Sequence, residues 1–302
     1  MTSDRPTESA AAGYLPLFHQ PAWLAAVTGN SWQEVRTLEA LPLPYHRIHR
    51  WGTTVIAHPP LTPFLYLRHP VSQDEPSLRA VGELLDQLPA YTKAHLLLGY
   101  NFDAWLPFYR RGWTCKLRYS YQLDLTTAPA QRLAAYKYSL RRTVKRAPAG
   151  IRVAPLPLAG AHARFEAHLR RRGSSTGVSD GQFAQLYTHF HPTGQFQLWG
   201  LHHEDQLLAS LCLAIDNGTA YCLLTERDTR LDTIQAMHLL YHHVIERCAR
   251  AGLSTFDFNG SMLPGVEPFM RAYGGVRRTK YELIHFGNRF WRAGFALLGK
   301  GV

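Results

Sequence analysis

The chain has 302 residues, and at roughly 150 per domain that suggests about two domains. Hydrophobic residues make up 46% and aromatics 12%, ample for a packed core, so disorder is excluded as an overall description. Thirty-three basic against 22 acidic residues leave a formal charge of +11, which points to an anionic partner such as nucleic acid, phosphate groups or an anionic membrane surface and says nothing about fold.

The first residues, MTSDRPTESAAAGYLPLF, carry Asp4 and Glu8 and lack an apolar run of signal-peptide length. No stretch approaches the length needed to span a membrane as a helix. A cytoplasmic protein is expected. The four cysteines, Cys115, Cys212, Cys222 and Cys248, contain no C-x-x-C pair and read as reduced, mostly buried thiols. His238, His242 and Glu246 recur at four-residue steps on one helix face, but H-E-x-x-H is absent. A polar helix face is the expectation there, with no metal.

In chain order, residues 1–13 read as a loose tail. A helix opens near Phe18–Leu24, with Pro21 in its first turn. Trp51–Ala57 reads as a strand running into a Pro-rich loop, Leu78–Leu88 as an amphipathic helix, and His95–Leu98 and Arg118–Leu123 as strands. From Leu125 to Phe165 there is no acidic residue, whereas Arg132, Lys137, Arg141, Arg142, Lys145, Arg146, Arg152 and Arg164 are basic. Leu133, Tyr136, Leu140 and Val144 repeat at three and four, predicting one helix with Lys137, Arg141 and Lys145 on another face. Pro148 and Gly150 end it.

Helices are predicted over Ala161–Arg172 and Asp180–Phe190. Three antiparallel strands follow, Gln195–Leu201, Leu207–Ile215 and Thr219–Thr225, with a polar turn at His202–Asp205 and an Asn217-Gly218 hairpin turn. A long helix capped by Asp232 or Thr233 ends at Gly252. Then come a buried strand Thr255–Phe258, a short helix Val266–Tyr273 and a last strand Val276–Phe286. That order fits an α/β (α+β) layer with a mixed sheet. The domain division is expected at 14–128 and 129–302.

Three segments carry a resemblance. Phe256-Asp257-Phe258-Asn259-Gly260-Ser261, followed by Pro264-Gly265-Val266-Glu267-Pro268-Phe269-Met270-Arg271-Ala272-Tyr273-Gly274-Gly275, resembles the C-terminal signature of GNAT-related acyltransferases of the Fem type. The segments Phe18-x-x-Pro21-x-Trp23-Leu24 and Tyr138–Ala147 resemble the family's first-domain opening and the basic helix of its second. The resemblance implies tandem GNAT-like domains with mixed, mostly antiparallel sheets flanked by helices, the ligand groove lying in or beside the second. It also implies transfer of an acyl group from acyl-coenzyme A, nominally acetyl-coenzyme A, to an amine of a small-molecule or cell-envelope precursor. The alternatives are aminoacyl transfer from tRNA to a cell-wall precursor, and a non-catalytic binder of RNA or an anion. Many members have Phe-Lys-x-x-Phe-Gly where this chain has Met270 with Arg271 beside it. Thr225–Ala236, where acetyltransferases carry a Gly-rich pyrophosphate loop, has no glycine.

Acyl transfer to an amine needs a base, a donor to the carbonyl oxygen and a proton for the leaving group. Asp257, placed between two phenylalanines on a strand, faces away from both and is the candidate base, with Glu226 second. Tyr273 is a candidate proton donor. Asn259, Ser261, Arg141, Arg142, Lys145 and Arg271 are candidates for binding substrate, the arginines by bidentate contact with phosphate. Arg227, Thr233, Ile234 and Gln235, at the start of the long helix, are candidates for the donor's phosphates. The basic and aromatic tail from Phe286 to Leu298 suits peripheral contact with an anionic membrane.

Overall fold

The computed structural model describes residues 14–50, 52–69, 76–100, 102–228, 234–260, 262, 264–288 and 290–291. The expected tail 1–13, Thr233, Ser261 and most of the C-terminal tail therefore lie outside the described residues, as does the side chain of Ile234.

A short 3₁₀ turn and α1 (Pro21–Thr28) open the chain, with Pro21 in the first turn as expected. The next strands are β1 (Trp32–Thr37), β2 (Ala40–Arg50) and β3 (Thr53–Ala57). Helix α2 (Leu78–Asp86) leads to β4 (Lys93–Leu98), and α3 (Leu106–Arg110) to β5 (Thr114–Asp124). After α4 (Pro129–Ala135) and α5 (Tyr138–Lys145) come β6 (Ile151–Pro155), α6 (Ala161–Arg170) and α7 (Asp180–Phe190). The hairpin strands β7 (Phe196–His203), β8 (Gln206–Asp216) and β9 (Thr219–Arg227) precede α8 (Ile234–Arg250), β10 (Thr255–Asp257), α9 (Glu267–Arg271) and β11 (Val276–Phe286).

The strands form one eleven-stranded sheet in the order β1-β2-β3-β4-β11-β5-β10-β9-β8-β7-β6. The mixed, mostly antiparallel, helix-flanked sheet is the expected class. Its parallel strand pairs are β3 with β4, joined through α2, and β9 with β10, joined through α8. The expected sheets are fused because β11, the last strand, inserts between β4 and β5. Beside it, β5 pairs with β10. Residues from the two ends of the sequence thereby become neighbours at the sheet's centre. One buried cluster packs α8 and α9 against Phe256, Phe258 and Tyr121 on one face; a second packs Phe18, Trp23, Phe165 and Phe183 around Tyr221.

Two sequence expectations are corrected. The basic segment is two helices, because Tyr136 is extended at φ −65° and ψ 146°. Its side chain is buried against Tyr273 and His242, and the following N–H of Lys137 donates to the Ala272 carbonyl at 2.7 Å. Tertiary partners thus replace the helical bonds there, and the apolar stripe is kept across the break. The turn expected at His202–Asp205 is only Glu204 and Asp205, since His202 and His203 pair with Leu207 and Gln206 and extend β7. No described helix is long and apolar enough to cross a membrane.

Candidate active site

The strands β9 and β10 run side by side only from Thr219–Tyr221 against Thr255–Asp257. Beyond Tyr221, β9 continues to Arg227 while β10 ends, so the parallel pair parts. The β8–β9 register shifts at the same point: Leu213 pairs with Cys222 and Cys212 with Leu224, which leaves Leu223 as the extra residue of a bulge in β9. At the parting is a cleft of about 370 Å³ lined by Leu223 and Leu224 of β9, Asn259, the His58–Thr62 loop, His95, Leu169 of α6, and Ser175 and Thr176 after it.

Asp257 closes the paired part of β10. Its neighbours Phe256 and Phe258 are buried on the α8 face, so alternation turns the carboxylate to the other face, as expected. Four donors hold it: Ser120 Oγ at 2.6 Å and the Asn259 N–H at 2.7 Å on Oδ1, and Tyr100 OH at 2.5 Å and Gln122 Nε2 at 3.0 Å on Oδ2. Burial, reinforced by the neighbouring Asp257, holds the Tyr100 hydroxyl protonated well above the ordinary range.

Sequence reasoning missed Lys280. It sits on β11, fully inside the protein at 3% exposure. Its Nζ donates to Asn259 Oδ1 at 2.8 Å, and lies 3.5 Å from the Asn259 carbonyl and 3.3 Å from the Pro63 carbonyl. Burial pushes its pKa down to about 8, the attraction of Asp257 opposing this and Arg118 adding to it. Asn259 is thus held from both sides, its N–H by Asp257 and its side chain by Lys280. It adopts a left-handed backbone at φ +55°, followed by Gly260 at φ +57°. A Cβ on Gly260 would stand 1.9 Å from the Tyr119 carbonyl oxygen, so only glycine fits there.

Register places further polar groups on the Asp257 face of the sheet. Asp257 lies opposite Gln122, Arg278 opposite Ser120, Lys280 opposite Arg118 and Glu282 opposite Lys116. Glu282 accepts from Arg118 Nε at 2.7 Å and lies 2.9 Å from His95 Nε2, and these contacts overcome burial to hold its carboxyl at about 2. His58 bridges backbone groups, its Nε2 2.7 Å from the Thr62 carbonyl and its Nδ1 accepting from the Leu97 N–H at 3.4 Å. Burial lowers it to about 3.

The other candidates are dispersed. Glu226 lies on β9 past the parting, accepting from Ser210 Oγ at 2.9 Å, and burial raises its carboxyl. Tyr273 lies on the α8 face, opposite Asp257, with its hydroxyl 3.1 Å from His238 Nδ1. Arg141 folds back, donating to the Ala134 and Tyr136 carbonyls at 2.8 and 2.6 Å, where it caps α4. Arg142 and Lys145 are exposed on α5. Met270 is a core residue at 6% exposure, while Arg271 is exposed and 3.4 Å from Glu267. Arg227 ends β9 and Gln235 is exposed in the first turn of α8. Of the helix face first weighed as a metal site, Glu246 binds Arg132 at 2.8 Å and His238 and His242 pack on Tyr273 and Tyr136.

Residues 129–271 match the family model described as Acetyltransferase (GNAT) domain, which places the parted strands β9 and β10 within a fold of known chemistry. That stretch is a GNAT-type acyltransferase domain. The fold of the chain is also that of FemX, with a TM-score of 0.65 at 13% identity, covering 96% of each chain. L-PGS from Bacillus licheniformis superposes at 0.57 with 14% identity, covering 92% of this chain and 90% of that one. The C-terminal domain of a putative lysylphosphatidylglycerol synthetase from Agrobacterium fabrum gives 0.56 at 12% identity, with the same coverage. These likenesses concern the fold. No curated protein matches this chain by sequence.

Proposed function

We propose that this acyltransferase moves an acyl group from acyl-coenzyme A to an amine in the cleft where β9 and β10 part, with residues 129–302 as the donor-binding unit. The observation that carries the reading is the parting itself. Among the described residues no strand pairs with the second side of β9 from Cys222 on, and Leu223 and Leu224 offer apolar lining to an acyl arm. Arg227 ends β9 and α8 begins at Ile234, and a guanidinium and a helix N-terminus are groups that suit a pyrophosphate. These groups support the donor.

Within this reading Asn259, pinned by Lys280 and Asp257, presents polar groups at the reacting end of the cleft. Asp257 positions rather than reacts, because its oxygens are occupied by four donors. The acceptor is an amine on a small molecule or a cell-envelope precursor.

A second donor, aminoacyl-tRNA, is favoured by the exposed Arg142, Lys145 and Arg146 on and after α5. It is favoured too by the glycine-free Thr225–Ala236 segment. A putative lysylphosphatidylglycerol synthetase with the same fold bears a name that denotes an aminoacylated lipid product.

The test is thermal unfolding of the full chain with millimolar acetyl-coenzyme A. Ligand at a hundred times its dissociation constant adds about 2.7 kcal/mol of apparent stability. A rise in Tm that adenine nucleotide alone does not reproduce supports the thioester donor. No rise, with a rise on adding charged tRNA, supports the second.

A further inference from the structure

The sequence places the candidate bases for an amine acceptor, Glu226 and Asp257, on β9 and β10. The structure offers a different group, contributed by the first half of the chain. His95 stands on β4 and lines the cleft, its side chain 38% exposed. Its Nε2 is 2.9 Å from Glu282 Oε1 on the adjacent strand β11, a diagonal cross-strand contact, since Glu282 lies opposite Leu97. Arg118 on β5 takes the other oxygen of Glu282 at 2.7 Å. Glu282 is only 8% exposed and is held ionised by these two partners.

A carboxylate on one imidazole nitrogen fixes the tautomer. With Nε2–H donating to Glu282, Nδ1 keeps its lone pair in the neutral ring. Among the described residues nothing bonds that nitrogen. The neighbouring His58 is the contrast: both of its nitrogens are spent on backbone groups. Two histidines line one cleft, one committed to structure and one with a nitrogen to spare.

The geometry points to His95 as the general base that takes the proton from the acceptor amine, with Glu282 as its positioning residue and Arg118 holding Glu282. The inference rests on the acyl-transfer reading above. In the step, an N–H proton of the acceptor passes to His95 Nδ1. The freed lone pair forms the C–N bond to the acyl carbon. The C–S bond breaks, the thiolate leaves with its electron pair, and the proton on His95 is returned to that sulfur or to water. The two halves of the chain are then both required, because β11 brings Glu282 beside β4 only by inserting between β4 and β5.

The charged and titratable groups facing His95 are Glu282 and Lys280 of β11, Arg118 of β5, Lys93 near Glu282 on β4, and His58 from the loop after β3. Of these, Glu282 is the one that bonds its ring.

The experiment has two arms on the purified full chain. The first needs no donor. Wild type, Glu282→Gln and His58→Gln proteins are treated with diethyl pyrocarbonate, and modification is located by peptide mass spectrometry. His95 is expected to react several-fold faster than His58, and Glu282→Gln to slow it. Equal or absent reactivity at His95, or no effect of Glu282→Gln, overturns the inference.

The second arm follows thiol release from acetyl-coenzyme A with benzylamine as probe acceptor. His95→Gln is expected to lower kcat about a hundredfold, within the range for loss of a general base, while KM for the thioester stays within about threefold. Unchanged turnover in His95→Gln overturns the inference while leaving the acyl-transfer reading intact. If wild type neither turns over nor gains stability with acetyl-coenzyme A, the thioester reading fails, and the first arm alone decides for or against His95.

Discussion

Lys280 donates to the Asn259 side chain at 2.8 Å while the Asn259 N–H donates to Asp257 at 2.7 Å, so a single left-handed residue ties a buried cation to a buried carboxylate. The two charges do not meet directly; the asparagine and the sheet hold them apart. A protonated lysine at that position is costly. Its pKa falls from 10.5 to about 8 through burial, which corresponds to about 3 kcal/mol of preference against the charged form.

The pH dependence follows from that direction. Below pH 8 both folded and unfolded chains hold the proton, and the cost is carried in full. Between about 8 and 10.5 the unfolded chain holds a proton that the folded chain has released, so this group makes stability rise with pH. Urea unfolding from pH 7.5 to 9.5 is expected to show that gain in wild type. Lys280→Met is expected to lack it. A gain of the same size in the variant would assign it to another group.

Asp257→Asn should destabilise the fold as well as the activity. Ser120 and Tyr100 can rotate their hydroxyl hydrogens, but the Asn259 N–H cannot, and a new amide N–H₂ would face donors. Loss of buried hydrogen bonds to a charged group predicts about 2–4 kcal/mol by urea denaturation. Asp257→Glu, which keeps the charge but shifts the oxygens, should recover part of the stability and little activity.

The acid limb belongs to buried histidines. His19 has its Nδ1 3.1 Å from the Pro42 carbonyl while its Nε2 accepts from the Tyr66 N–H at 2.9 Å. His58 uses the opposite tautomer for the same task. A second proton on either ring would face a backbone N–H, in keeping with burial lowering His19 to about 4 and His58 to about 3. The unfolded chain binds a proton near 6.5 that the folded chain refuses, so stability falls as pH drops from 6.5 toward those values. Glu282 and Glu166, held at about 2, add their loss only below their ordinary 4.5. His58→Gln can still bond both backbone groups and should flatten the slope between pH 6.5 and 4.5, measured by thermal unfolding across that range.

How much of this was readable beforehand differs by residue. Asp257 announced itself, because a carboxylate between two phenylalanines on a short strand must face away from them. The final strand and α7 have the limits expected from the sequence, and in the structure Ser179 caps the start of α7. Lys280 and Glu282 gave no such signal. Charged residues alternating along a strand read as a solvent face, and only the insertion of β11 between β4 and β5 buries that face. His95 and Glu282 are likewise far apart in sequence, and no periodicity relates them. Tyr136 misled for a related reason: the helical stripe is intact, but the backbone between α4 and α5 is held by Ala272, a partner that spacing cannot name.

The entry to the second half of the chain should be sensitive to one ion pair. Arg132 is 3% exposed, bonded to Glu246 Oε2 at 2.8 Å and Oε1 at 3.1 Å, and donates as well to the carbonyls of Leu125 and Thr127. It therefore fastens α4 to α8 and to the end of β5. Removing one member of a buried pair costs about 3–5 kcal/mol, mostly because the other charge is left without its partner. Arg132→Met strands Glu246 and two carbonyls together and is expected in that range by urea denaturation. Glu246→Gln keeps an acceptor for the guanidinium, and the carbonyls remain, so it should cost clearly less. Equal losses would mean that the carboxylate charge, rather than the four hydrogen bonds of Arg132, fixes this junction.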